Sequence, residues 1–255
     1  MPCQVSQMSH AIFTRADRPA LAYRFQAGFG PTIIFLPGYM SDMAGGKATA
    51  VLADAAARGQ ACLLLDYSGC GLSEGRFADQ TLIDWQRDAI DLITAKVDGP
   101  VLLVGSSMGG WLMLLVALAL VDRDGPGRVA GLVGIAAAPD FTDWGFSDAQ
   151  KAIIQAEGVL LEETPYSDQP YVTTRALWES GQANRLLGSG IALHCPVRLL
   201  HGQQDEDVPW DISLRLAAAL ASADVRVTLI KDGDHRLSRQ ADVALLLATI
   251  AGIGG

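Results

Sequence analysis

The chain has 255 residues, half of them apolar, which suffices for one domain whose buried core needs neither disulfides nor a structural metal. Its net charge of −9 argues against a nucleic-acid groove, which wants clustered Lys and Arg. The four cysteines, Cys3, Cys62, Cys70 and Cys195, are scattered without CxxC or metal-ligand spacing, so no metal site and no disulfide framework is expected, and reduced thiols in a cytoplasmic compartment are.

The opening MPCQVSQMSH lacks the basic start and apolar run of a secretory signal and the Arg-rich look of a transit peptide. Residues 12–14 and 21–25 read as two strands. Residues 32–36 (TIIFL) form a short apolar run ending in Pro37-Gly38, a buried strand followed by a turn. An Ala-rich helix is expected over 47–58, closed by Gly59, and a strand over 61–66 (ACLLLD). Over 82–96, Leu82, Trp85, Ala89, Leu92 and Ile93 recur at helical spacing, so one face of that helix is buried. A strand over 100–105 (PVLLVG) leads into a helix over 108–121. Its window 110–121 is the most apolar in the chain, yet too short to span a bilayer, and reads as a buried helix. Another strand covers 129–136. From about 139 to 193 the rhythm breaks into a more polar, irregular stretch that carries Phe141, Trp144, Phe146, Tyr166, Tyr171 and Trp178. Alternation resumes with a strand over 197–201, a helix over 210–220, a strand over 225–230 and a helix over 239–250.

Strands alternating with helices predict a single α/β domain over 1–255, with a mostly parallel sheet and helices on both faces. The irregular stretch predicts a small helical lid inserted at 139–193, over the carboxyl ends of the strands where ligands bind in open α/β sheets. A purely structural excursion is the alternative.

The strand VLLVG runs into Gly105-Ser106-Ser107-Met108-Gly109-Gly110 and then a helix, which is G-x-S-x-G in the strand-turn-helix context of an α/β-hydrolase nucleophile elbow. The two glycines let strand and helix approach closely around the turn, and the helix N-terminus beneath the serine favours developing negative charge. A motif centred on Ser106 would need glycines where Val104 and Met108 stand, so Ser107 is the expected nucleophile.

A serine hydroxyl needs a base, and the chain order in this fold is Ser, acid, His. Of the four histidines, His10 precedes the serine, and His194 and His201 flank the strand CPVRLL without a preceding acid in place, so local hydrogen bonding is expected of them. His235 follows the strand VRVTLI in a loop, at the same sheet edge as Ser107, and is the expected base. The segment LLHGQQDEDVP offers Asp205, Glu206 and Asp207. Many hydrolases of this fold carry HGxxDxxVP here; that spacing selects Asp205, with Asp207 as the alternative. The carboxylate would hold the imidazole tautomer and stabilise the imidazolium. For the oxyanion hole, the residue after the nucleophile, Met108, supplies one backbone N–H, and Tyr39, in the turn Pro37-Gly38-Tyr39, the second.

The stretches FLPGYMSDMAGGKA, LLLDYSGCGLSEG, VGSSMGGWLML, CPVRLLHGQQDEDVPW and DHRLS together resemble the abhydrolase-domain-containing-protein-10 family over most of residues 33 to 240, least through the insertion. The resemblance implies palmitoyl-protein thioesterase or acyl-glucuronide esterase activity, with Ser107, Asp205 and His235 at the family's triad positions. LLLDYSGCGLSEG lacks the Lys and spacing of a phosphate loop and reads as a structural turn after a core strand, with Cys70 near the rim of the site and no basic neighbour to activate it.

The expected reaction is acyl transfer to water through an acyl-enzyme on Ser107, with no cofactor. The expected partner is a small-molecule acyl ester or thioester, or an acylated protein, with no nucleic acid and no membrane span. The alternatives are a carboxylesterase of short-chain or glucuronide esters, and a receptor-like member that binds its ligand and turns over slowly.

Overall fold

The structure, a computed structural model, describes residues 10–164 and 167–254, so Cys3 and Tyr166 lie outside the described residues. The first half is built by strands β1 (Ala11–Phe13), β2 (Leu21–Gln26) and β3 (Phe29–Leu36), helix α1 (Gly46–Arg58), β4 (Gln60–Leu65), α2 (Leu82–Lys96), β5 (Val101–Ser106), α3 (Met108–Asp124) and β6 (Val129–Ile135). Local chemistry sets their ends. Helix α1 stops where Gly59 adopts φ 67°, ψ 20°, and its N–H closes back on the last turn. Thr81 and Asp84 form a reciprocal capping box that starts α2.

The insertion follows: α4 (Phe141–Trp144), α5 (Asp148–Glu157), a hairpin of β7 (Val159–Thr164) and β8 (Ser167–Thr174), and α6 (Arg175–Ala183). The chain then returns through β9 (Val197–Gly202), α7 (Asp211–Ala219), β10 (Val225–Ile230) and α8 (Gln240–Gly254). A helical insertion was the expectation; the antiparallel hairpin is the difference. Its faces explain it: Leu160 and Thr173, paired across the hairpin, are buried, while Val159 and Leu161 point outward.

Eight strands form one sheet in the order β1-β2-β4-β3-β5-β6-β9-β10. The run from β4 to β10 is parallel, and at one edge β2 alone runs antiparallel to both its neighbours, β1 and β4. Alternate residues of the central strands serve two cores. Ile34, Leu36, Val101 and Leu103 pack with Trp85, Leu92 and Trp111 of α2 and α3, whereas Ile33, Phe35, Leu102 and Val104 pack with Val51, Leu52, Leu246 and Ile250 of α1 and α8. Each fully buried aliphatic side chain is worth about 1.5–3 kcal/mol over exposure, so a sheet covered on both faces fixes its register firmly. That rigidity holds the carboxyl ends of β3, β5, β9 and β10 together as a platform for the site. Among the described residues no helix is long and apolar enough to cross a membrane.

Candidate active site

Strand β5 turns into α3 at Ser107, whose backbone stands at φ 54°, ψ −121°, a region that side-chain-bearing residues avoid. The strain is held by the surrounding backbone. The Ser107 N–H donates to the Ile135 carbonyl at 2.9 Å, and its own carbonyl accepts from Gly110 at 2.8 Å and Ala138 at 3.0 Å. A methyl group on Gly105 would strike the Gly109 carbonyl, and one on Gly109 would strike the Leu36 and Pro37 carbonyls, so the glycines of the motif permit the close crossing of strand and helix.

The loop after β10 brings His235 to this turn. Its Nε2 lies 3.1 Å from Ser107 Oγ, and its Nδ1 lies 2.8 Å from Asp205 Oδ2. A carboxylate only accepts, so Nδ1 carries the hydrogen and Nε2 is left to accept from the serine hydroxyl. The Asp205 side chain is fully buried and His235 is 16% exposed. Burial opposes charge on Asp205, but hydrogen bonds from His201, His235 and the Val208 N–H outweigh it and hold the carboxyl well below the usual carboxylate range. Of the neighbouring acids, Glu206 and Asp207 are exposed, as expected. Ligand atoms of Asp205, Asp207 and His235 lie within 4.8 Å of one another, a spacing a metal ion could bridge. Both oxygens of Asp205 are already taken by imidazole and backbone donors.

Ser107 and His235 open onto a cavity of about 470 Å³, inside the range of roughly 300–1,000 Å³ usual for small-molecule sites. Gly38, Tyr39 and Met108 lie on its floor beside Ser107, and Phe141, Trp144, Phe146 and Tyr171 of the insertion enclose it. Four of the six expected insertion aromatics thus line the space. Trp178 instead packs with Phe146, Ile154 and Leu160, its Nε1 donating to the Thr142 carbonyl. Among the described residues, neither the Tyr39 nor the Met108 N–H donates to a loop or turn carbonyl. The Tyr39 ring packs edge-on against Phe77, Trp85, Phe141 and Tyr171, and its hydroxyl donates to the Val172 carbonyl on β8. Burial pushes that hydroxyl above its ordinary range.

Three wall residues have no counterpart among the sequence expectations. Lys47 donates to the Arg236 backbone carbonyl, and burial, with Arg236 nearby, lowers its amine to about 8. Glu162 of β7 accepts from Gln150 at 2.7 Å, and burial raises its carboxyl. Arg236 itself also lines the cavity. Cys70, expected at the rim, is buried in the core instead, and burial raises its thiol to about 12. Its loop is the structural turn expected: Asp66 accepts from the Met43 and Leu72 N–H groups and pins the segment.

Residues 33–246 match the alpha/beta hydrolase family. The chain is 39% identical over 254 residues to human "Palmitoyl-protein thioesterase ABHD10, mitochondrial", covering 98% of this chain and 81% of that protein. Among solved structures it is similar to alpha/beta hydrolase domain-containing protein 10 from mouse, with 38% identity and a TM-score of 0.88 over 96% of this chain and 98% of the mouse one. It is also similar to a putative hydrolase from Agrobacterium vitis S4, with 37% identity and a TM-score of 0.91 over 98% of this chain and 100% of the other. The human relative carries the word mitochondrial in its name, which lends no support to a cytoplasmic location.

Proposed function

We propose that this chain, which belongs to the alpha/beta hydrolase family and within it to the group of alpha/beta hydrolase domain-containing protein 10, hydrolyses acyl thioesters or carboxyl esters through an acyl-enzyme on Ser107. The observation that carries the proposal is the unbroken hydrogen-bonded line Asp205–His235–Ser107, whose Ser107 and His235 line a cavity of mixed apolar and charged residues. His235 takes the serine proton as Oγ attacks the carbonyl, and Asp205 stabilises the imidazolium that results. The Tyr39 and Met108 N–H groups receive the oxyanion. His235 then protonates the leaving thiol or alcohol, and water repeats the cycle on the acyl-enzyme. The insertion at 139–193 serves as the lid of this single domain. Steady multiple turnover on an acyl thioester and a nitrophenyl ester is the expected result. One stoichiometric burst without further product would favour a ligand-binding role.

The acyl group is expected to lie against Phe141, Trp144, Phe146 and Tyr171. Each methylene desolvated there is worth about 0.8 kcal/mol, close to a fourfold gain per carbon. In a chain-length series measured below each substrate's critical micelle concentration, kcat/KM should climb from acetyl to at least octanoyl and then level off. The family name of the human relative, a palmitoyl-protein thioesterase, points the same way and admits an acylated protein as substrate. Lys47, Arg236 and Glu162 on the same wall favour a second reading, a carboxylesterase of short-chain or glucuronide esters with polar leaving groups. A maximum at two to four carbons would select it.

Tyr39 joins the oxyanion turn to the hairpin of the lid. Tyr39→Phe keeps the ring contacts and removes the hydroxyl's bonds to the Val172 carbonyl and to Thr173 Oγ1, 3.3 Å away. Loss of this tie should lower kcat by about five- to tenfold with KM little changed. Binding of a trifluoromethyl ketone, which forms an oxyanion on the serine, should weaken in parallel; unchanged binding would separate the hydroxyl from the oxyanion hole.

A further inference from the structure

The expected local bonding of His201 turns out to run into the site. His201 ends β9, and its side chain is fully buried. Its Nε2 lies 3.1 Å from Asp205 Oδ2 and 3.0 Å from the Val208 carbonyl, and its Nδ1 lies 2.7 Å from Ser213 Oγ on α7. Both partners of Nε2 are pure acceptors, so Nε2 carries a hydrogen and donates it to them. The oxygen of Asp205 that receives this donor is the one that receives His235 Nδ1. The second oxygen accepts the Asp207 and Val208 N–H groups at 2.9 and 2.8 Å. One carboxylate oxygen is therefore shared between two imidazoles, one facing the serine and one facing the core.

We propose that His201 is a positioning residue for the reaction, a fixed donor behind Asp205 that sets where its carboxylate points and how much charge it offers His235, with Ser213 holding the ring. The proposal rests on the Ser107–His235–Asp205 reading above. Two consequences follow from the chemistry of sharing. A carboxylate oxygen that already accepts a buried hydrogen bond is a weaker acceptor for the second, so His201 tempers the stabilisation of the His235 imidazolium. The Asp205 carboxylate is also anchored on four donors, which leaves it no second orientation in which His235 would lose its partner.

The test compares His201→Gln, whose amide nitrogen can stand where Nε2 stood, with His201→Leu, which fills similar space without a donor. Steady-state kinetics on a nitrophenyl ester are followed across pH, with Tm recorded for each variant. For His201→Leu, kcat/KM at neutral pH should fall by between about tenfold and a hundredfold, mostly in kcat. The acid limb of its profile should move to higher pH by about half a unit, because an unshared carboxylate oxygen favours the imidazolium more. The Gln variant should recover most of both changes. The charged groups around His235 besides Asp205 are Asp207 of the loop after β9, the adjacent Asp234 and Arg236 of its own loop, and Asp42, Lys47 and Glu162 of the cavity lining, and none is altered. A profile that stays in place while Leu and Gln variants lose activity alike, in step with Tm, would overturn the proposal. If neither His201 variant folds, Ser213→Ala loosens the ring without removing it and should shift the limb in the same direction by a smaller amount; an unmoved limb there overturns the proposal equally. Fluorophosphonate labelling of the unaltered chain is scored separately. Labelling on Ser107 with an unmoved pH profile rejects His201 alone, whereas absence of labelling on Ser107 rejects the underlying reading.

Discussion

Ser107→Ala should abolish turnover, lowering kcat by on the order of 10⁵-fold or more, and should abolish labelling by a serine-directed fluorophosphonate. The size of the effect follows from the role proposed for the hydroxyl. Without Oγ there is no acyl-enzyme, and His235 has no nucleophile to deprotonate at 3.1 Å. Binding and the two backbone N–H groups remain, and they alone leave a residual acceleration of roughly 10³–10⁴ over water. Ser106 provides the internal control. It also lines the cavity, but it ends β5 in regular strand pairing with Ile135, whereas the hydrogen bond to His235 is made by Ser107. Ser106→Ala should retain most of both labelling and turnover. Peptide mapping should place the adduct on Ser107; labelling that survives Ser107→Ala would sink the assignment.

The central strands were legible because their residues are buried on both faces, which leaves short apolar runs bounded by turns, and α2 because Leu82, Trp85, Ala89, Leu92 and Ile93 recur at helical spacing and are all fully buried. The meeting of Ser107 and His235 was legible because chain order and strand ends place them on one edge. The hairpin β7–β8 was not. VLLEET alternates over only six residues, Pro170 stands inside the second strand, and the pair lies apart from the main sheet, so no long pattern announces it. The wall charges were hidden for a different reason. Lys47 reads as an ordinary solvated residue at the start of an Ala-rich helix, and only the arrival of the Arg236 loop, 189 residues later, buries its amine. Asp205 could be chosen over Asp207 by spacing, but that one carboxylate oxygen bridges two imidazoles is a tertiary fact that depends on Ser213 of α7 holding the second ring.

Asp205→Asn should lower turnover by on the order of 10³- to 10⁴-fold, while Asp207→Asn should change it only modestly. The geometry gives the two acids different tasks. The Asp205 carboxylate is fully buried, sits 2.8 Å from His235 Nδ1, and is held charged by the donors around it. An amide in its place keeps the shape but can turn its NH₂ toward His235. Nδ1 must then accept, the hydrogen moves to Nε2, and the imidazole can no longer receive the serine proton. The imidazolium of the transition state also loses its counter-charge. Asp207 is exposed, and its backbone N–H, which Asn retains, is what binds Asp205 Oδ1. Its side chain lines the cavity, and the bond to His235 Nδ1 comes from Asp205, so the substitution alters local charge and leaves that bond in place. The measurement is kcat and KM for both variants on one ester, with fluorophosphonate labelling rates alongside. Labelling of Ser107 should slow in Asp205→Asn in proportion to kcat, because both reactions need the same deprotonated hydroxyl, and should stay near the unaltered rate in Asp207→Asn. A reversal of the two effects would move the acid to Asp207.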